Sequence, residues 1–331
     1  MASLTNQSYT VGWICALPSE MAAARAMLDE DHGRPREQDP SDRNNYRLGR
    51  IWEHNVVLAC LPAGMYGSNS AATVAAQMLF TFRSIRFGLM VGVGGGVPRE
   101  GTDIRLGDVV VSKPEETSGG VRQYDFGKTV GEGRFTFMGS LNRPPQVLLT
   151  AVSSLEADHM MEESKISKFL AEMVVKYPNM GPEFSYPGSQ YDQLYEAEYD
   201  HAGDDNTCQY CDSRRLKDRP ARSRGIPTIH HGLIASGNQV MKHGVTRDRL
   251  RNQLNVLCFE MEAAGLMDNF PCLVIRGICD YADSHKNERW QKYAAATAAA
   301  YAKELLYIIP TNEVTGTPTA TQATALSLNG M

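Results

Sequence analysis

Two short apolar runs end on acidic residues, and their placement constrains the fold more than any other feature of the chain. Residues 255–258 read as a buried strand, with Glu260 and Glu262 following at the mouth of a helix. Residues 271–279 form a second such run, which ends on Asp280. In open α/β sheets ligands sit beyond the carboxyl ends of the strands, so carboxylates at two such ends suggest a site. A plainer reading stays open at this point, because acids favour helix N-termini and could simply be caps.

The rest of the pattern supplies layers around these strands. Residues 9–17, 46–63, 87–93, 106–112 and 228–235 read as further strands, with 46–63 a pair that turns at Glu53-His54-Asn55. Helical spacing runs through 68–82, 145–156, 245–253 and 287–308, the last rich in Ala, the strongest helix former. Strands alternating with helices predict one α/β layered domain with a mixed sheet, over residues 9–310. Residues 159–225 break the rhythm, being polar and aromatic with a basic run near their end, and read as an insertion. Residues 1–8 and the Thr- and Ala-rich tail, 311–331, are expected to be disordered.

Composition removes several function classes. A net charge of -5 argues against general nucleic-acid affinity, which needs a basic surface. No apolar stretch reaches transmembrane length, and residues 1–8 carry no signal-peptide core. Cys15, Cys60, Cys258, Cys272 and Cys279 lie in apolar runs and read as reduced core thiols, which predicts a cytoplasmic protein.

The run Phe259-Glu260-Met261-Glu262-Ala263-Ala264, followed by Arg276-Gly277-Ile278-Cys279-Asp280, resembles the nucleoside phosphorylase and methylthioadenosine/S-adenosylhomocysteine nucleosidase superfamily. Within it, residues 278–287 with Trp290 and the Ala-rich helix are similar to fungal domains that often precede NACHT or ankyrin segments. The resemblance implies a three-layer fold, a central mixed sheet flanked by helices. It also implies cleavage of a purine N-glycosidic bond without an organic cofactor. The implied partner is a small purine nucleoside or nucleotide, and a homo-oligomer, dimer favoured, is expected.

Such a cleavage builds positive charge on the ribose and negative charge on the leaving base. Asp280 is the candidate that protonates N7 of the base, for which burial or a neighbouring carboxylate would have to favour its acid form. Glu262 can accept from both ribose hydroxyls at once, and the resemblance places Met261 against the face of the sugar. It also gives Glu20 and Arg276 the attacking water. The glycines of Gly92-Val93-Gly94-Gly95-Gly96 let substrate approach the backbone, with Val93, Gly94 and Gly95 beside the ribose. Many relatives have Ser in place of Val93. Ser236 to Met241 matches a loop that closes over the purine, so backbone around Val240 and Met241 would read its edge, although relatives carry an aromatic at Val240. Trp290 falls where an aromatic closes the pocket, with a core position as the plainer alternative. Tyr66 and Gly67 could line the same cleft.

Bacterial phosphorylases bind phosphate through an Arg past the first strand, another before the glycine loop, and that Ser. Here Leu89-Met90-Val91 precedes the loop, so water is the expected nucleophile and phosphorolysis the alternative. A ligand-sensing module without turnover is a rival of another class. The basic run from Arg214 to Arg224 could grip 5′-phosphates, making a nucleotide such as ATP the substrate, or could be a solvated loop. Cys208 and Cys211 have zinc-like spacing but no second Cys pair; His201, His230 and His231 are the histidines weighed beside them. No metal is expected there.

Overall fold

In the computed structural model, which describes residues 4–203, 207–222 and 225–329, the chain first forms β1 (Val11–Cys15), α1 (Pro18–Met27), β2 (Glu30–Gly33), β3 (Tyr46–Ile51), β4 (His54–Cys60), α2 (Ser68–Thr81), β5 (Phe87–Gly96), β6 (Val109–Ser112), β7 (Val121–Gln123), β8 (Gly127–Thr129) and β9 (Phe135–Phe137). It continues through α3 (Gln146–Met161), α4 (Ile166–Lys176), α5 (Gly181–Phe184), β10 (Ile229–Ser236), α6 (Gly244–Leu254), β11 (Val256–Glu260), β12 (Cys272–Asp280), α7 (Gln291–Ile308), α8 (Thr311–Gly316) and α9 (Ala320–Asn329).

One mixed sheet follows the order β11-β10-β6-β12-β5-β1-β4-β3-β2, with β7 beside β10. β1, β11 and β12 are buried at every position, which is why they read as continuous apolar runs rather than alternating ones. β12 and β1 flank β5 in parallel, whereas β6 runs antiparallel to β12. β11 returns to pair antiparallel with the end of β5, placing Cys258 opposite Gly96 and Phe259 opposite Gly95. The strands β5, β12, β6, β10 and β11 thereby close into a ring, and the acid-bearing ends of β11 and β12 meet at its mouth.

Helices cover both faces. On one, α1, α3, α4 and α7 share a core with Trp13, Leu89, Leu273 and Ile275. On the other, α2 and residues 263–270 pack on Ile14, Met90, Val274 and Ile278. Most of α7 is buried, and its alanines let it lie close against β12. Among the described residues no helix is long and apolar enough to cross a membrane.

Several boundaries differ from expectation. The α3 helix runs on to Met161, and α4 buries Ile166, Phe169 and Met173 in the main core. The irregular insertion therefore begins near residue 177 and not at 159. The tail forms α8 and α9, with Val314 and Ala320 buried and the Ala320 N–H donated to the Ile85 carbonyl, where disorder was expected. A low charge that suggests a solvated tail also suits packing on a core. At the other end Asn6–Ser8 forms a short 3-10 turn, and residues 1–3 lie outside the described residues. Glu262 is followed by a single 3-10 turn, Ala263–Gly265, in place of a helix.

A Cβ on Gly277 would sit 1.8 Å from the Ala294 carbonyl oxygen, so β12 and α7 touch backbone to backbone. Gly277→Ala should destabilise the protein by ~1–3 kcal/mol or more in urea unfolding, the usual scale of overpacking. Gly131→Ala, where nothing lies within 4 Å, should leave the midpoint unchanged.

Candidate active site

Glu20 is the third residue of α1, placed by Pro18 at the helix start. One carboxylate oxygen accepts the N–H groups of Ala16 (2.7 Å) and Leu17 (3.0 Å); the other accepts the N–H of Val93 at 2.8 Å. These bonds aim the group at the glycine-rich end of β5. Burial raises its pKa, against the opposing pull of Arg276 and the backbone donors.

Arg276 lies mid-strand in β12, fully buried. Its guanidinium bonds Glu260, reaches Glu262 at 3.3 Å and donates to the Val93 carbonyl at 3.4 Å. Burial works against its charge, but Glu260, Glu262 and Glu20 outweigh that and raise its pKa. Glu260 also caps the turn after β11 by accepting the N–H groups of Glu262 and Ala263. Glu262 accepts the N–H of Gly67 at 3.3 Å through its other oxygen. Met261 sits between the two acids, half-buried.

The glycines are what allow this convergence. A Cβ on Gly92 would meet both the Arg276 guanidinium and the Glu20 carboxylate at 2.5 Å. One on Gly95 would stand 2.7 Å from the Asp280 carboxylate. Arg276 pairs with Gly92 and Asp280 with Gly95, so one strand pair carries both ends of the site. Three residues of β5 separate the two ends, a span of about 10 Å, with a bulge in β12 taking up its extra residue.

At the far end, one Asp280 oxygen accepts the Ala282 N–H at 2.8 Å. The other accepts the Cys279 thiol at 3.1 Å and pairs with Lys286 at 2.8 Å. Ala282 has φ 53°, a left-handed turn unusual for a residue with a side chain, and this turns its N–H back onto the carboxylate. Of the two surroundings weighed for Asp280, the structure shows burial; the charged group bonded to it among the described residues is the Lys286 ammonium. Burial opposes that ammonium, but Asp280 more than compensates and raises its pKa.

The loop carrying Val240 and Met241 is tied to the end of the site that holds Glu262. The Asn238 side chain accepts from Ser68 N–H and O–H, next to Gly67, and its own N–H bonds Asp125 at 2.7 Å. Tyr124 O–H donates to the Gln239 carbonyl at 2.7 Å. Val240 is exposed, as is Tyr66.

Two expectations fail. Trp290 is buried against Tyr186 and Tyr293 and donates its indole N–H to the Tyr191 carbonyl, so it is core beneath the insertion and not a pocket wall. In the basic run, Arg214 pairs with Asp212, Arg215 with Glu196, Arg219 with Asp103 and Asp192, and Arg222 with Asp108. Arg219 and Arg222 fasten the insertion to the domain, and Arg214 and Arg215 pair within the insertion; Ser223 and Arg224 lie outside the described residues. Sequence reasoning left Lys286, Asp125 and the part played by Glu260 unassigned. Glu260 was visible as the first acid at its strand end, whereas no spacing rule marks Lys286 or Asp125.

A model of the phosphorylase superfamily matches residues 10–309. The chain belongs to the phosphorylase superfamily. It is 48% identical, over 93% of its length, to a nucleotide-binding leucine-rich repeat-like protein of Hyaloscypha variabilis, and spans 30% of that protein. It is 26% identical to a 5′-methylthioadenosine/S-adenosylhomocysteine nucleosidase of Mycobacterium bovis, over 91% of this chain and 97% of that one. Among solved structures, the Neisseria meningitidis nucleosidase in complex with methylthio-immucillin-A superposes with a TM-score of 0.57 at 18% identity, covering 90% of this chain and 98% of that one. The futalosine hydrolase of Helicobacter pylori gives 0.57 at 15%, covering 91% and 99%. These likenesses show the fold.

Burial is the main reason the Glu262 carboxyl is pushed up to about 7; Arg276 opposes the rise, and Glu260 and Glu20 add to it. A carboxyl that keeps its proton only when folded makes stability fall as pH rises between its unfolded and folded values, here from about 4.5 to about 7. Glu262→Gln should flatten that fall, read by urea unfolding across this window. An equally steep fall in the variant would show that the strain resides elsewhere.

Proposed function

We propose that this domain hydrolyses the N-glycosidic bond of a purine nucleoside. The carrying observation is the charge at the ribose end, where Glu20, Glu260 and Glu262 surround the single guanidinium of Arg276. A phosphate dianion entering there would meet carboxylates, and Arg276 is already engaged. A neutral water meets no such barrier, and the same negative field favours a ribose that is becoming an oxocarbenium ion.

In this reading Glu20 orients the water and takes its proton as it attacks the anomeric carbon. Glu262, ionised, accepts from the ribose hydroxyls. At the base end, the bond to the sugar breaks and its electron pair passes into the purine. As negative charge gathers on the base, a proton passes from Lys286 to Asp280 and from Asp280 to N7. The base leaves neutral, and the pair is left as a carboxylate and a neutral amine that regains its proton from solvent, while Glu20 releases the proton it took from water. With Arg214, Arg215, Arg219 and Arg222, the described arginines of the basic run, each paired to an acid, the support for a 5′-phosphate grip is lost, and a nucleoside is the preferred substrate class.

The similarity to the leucine-rich repeat-like protein favours a second reading, in which the same pocket senses a purine ligand within a longer protein. Turnover distinguishes the two.

Incubation with adenosine, inosine, guanosine, methylthioadenosine, AMP and ATP, with and without phosphate, should yield free base and unphosphorylated C1 of the sugar irrespective of phosphate. Ribose 1-phosphate as main product would replace hydrolysis by phosphorolysis, and tight binding without product would favour the sensor. Asp280→Asn and Glu20→Ala should each lower kcat by ~10²-fold or more with the fold intact. Lys286→Met should lower kcat more than it raises KM, and wild-type kcat in that variant would exclude the relay.

A further inference from the structure

His201, Cys208 and Cys211 place one ligand atom each within 4.8 Å of one another, in the insertion and outside the proposed active site. Cys208 and Cys211 face the same way because the Cys211 N–H bonds the Cys208 carbonyl at 3.2 Å, forming a tight turn. The Nε2 of His201 meets the Thr207 carbonyl at 2.8 Å, which makes it the protonated nitrogen and leaves Nδ1 with a lone pair. That is the arrangement by which a ligating imidazole is usually oriented. His230 and His231 are not part of the cluster: they pair with Asp108 and Glu156.

A second, independent observation comes from the other side of the same space. His285 is only 7% exposed, and neither ring nitrogen has a hydrogen-bond partner among the described residues. The Asp283 carboxylate stands 3.6 Å from its Nδ1. A buried imidazole left this way is costly, since buried polar atoms are nearly always satisfied. Its ring is stacked on Tyr195 at 4.0 Å and lies edge-on to His201 at 5.7 Å, centroid to centroid. Stacking fixes the ring plane and leaves its nitrogens unbonded at the ring edge, beside His201.

We infer that Cys208, Cys211, His201 and His285 form a structural zinc site that joins the insertion to the loop after β12. Two thiolates and two imidazoles suit tetrahedral zinc, and four protein ligands leave no open position for catalysis. Ligand atoms around such an ion lie roughly 3.3–3.8 Å apart, so the three already gathered need only small movements, while His285, which lies outside that group of three, has to bring a ring nitrogen inward. The neighbouring contacts already run across the same junction: His201 N–H donates to Ser284 at 3.0 Å, and Ser284 bonds Asp200. His285 adjoins Lys286, which holds Asp280. The ion would thus fix the loop carrying the proposed proton relay, though the metal site itself does not depend on that relay.

The full chain, purified without chelator and under reducing conditions, should carry about one zinc per chain through gel filtration in metal-free buffer. A mercurial should release it in step with loss of two thiols. Cobalt added to the zinc-depleted chain should give the intense visible bands of a tetrahedral site with two thiolates, a measurement that needs no variant. His285→Ala and His201→Ala should weaken zinc at least ~10-fold, the loss that even outer-shell partners produce. Cys60→Ser should keep it. Chelation should lower Tm. A chain that takes up neither zinc nor cobalt, or a Cys208–Cys211 disulfide in anaerobically purified protein, would overturn the site. Wild-type zinc affinity in His285→Ala would overturn His285 as a ligand.

Discussion

The Arg276 guanidinium, buried in the middle of β12, is the interaction on which the site depends. It draws Glu260 and Glu262 from the end of β11 and touches the Val93 carbonyl, whose own N–H is held by Glu20. A single cation thus couples three elements distant in sequence: α1, the turn after β11 and the glycine-rich end of β5. Taking such charges out of water carries a large desolvation penalty, offset only when geometry is good and remaining polar atoms are bonded. Here backbone N–H groups from Ala16, Leu17, Val93, Gly67, Glu262 and Ala263 supply most of those bonds. Burial is what raises the pKa of both Glu20 and Glu262, and at Glu262 the neighbouring Glu260 and Glu20 add to the rise.

Much of this was legible because burial writes itself into the strands. Runs buried on both faces rarely carry charge, so the acids at the ends of β11 and β12 stood out, whereas Glu20 and Arg276 were named through the resemblance to the superfamily. The glycines gave a weaker signal. A loop of four glycines in five residues admits many readings, and only the packed strands show that Gly92 clears Glu20 and Arg276 while Gly95 clears Asp280.

What was not legible depends on contacts between distant parts of the chain. The basic run has the composition of a solvated or phosphate-binding loop; its partners Asp103, Asp108, Asp192 and Glu196 are scattered over nearly a hundred residues. Trp290 has an aromatic's usual ambiguity between core and pocket, resolved by Tyr186 from the insertion. The tail lacks an amphipathic pattern because α9 meets the domain mainly near its start, at Ala320. The thiols at 208 and 211 lie beside His201, whose ring meets that of His285, and no spacing rule covers the separation from 201 to 285.

The two ends of the site carry opposite electrostatic tasks, and a single strand pair holds them apart. At the Arg276 end carboxylates outnumber the guanidinium, and at the Asp280 end Lys286 brings positive charge to the carboxylate. Breaking a bond between sugar and base separates charge in that same sense, so a substrate laid along β5 and β12 would have its transition state stabilised at both poles by groups already in place. The arrangement is sensitive to register. Side chains alternate faces along a strand, so a slip of one residue between β5 and β12 would turn Arg276 and Asp280 away from the glycines that make room for them. The register shift between Ile278 and Asp280 matters for the same reason: a bulge at a strand end re-aims a side chain. With Ala282 turned back through its left-handed φ, it directs Asp280 to the place where the leaving base would gather its charge.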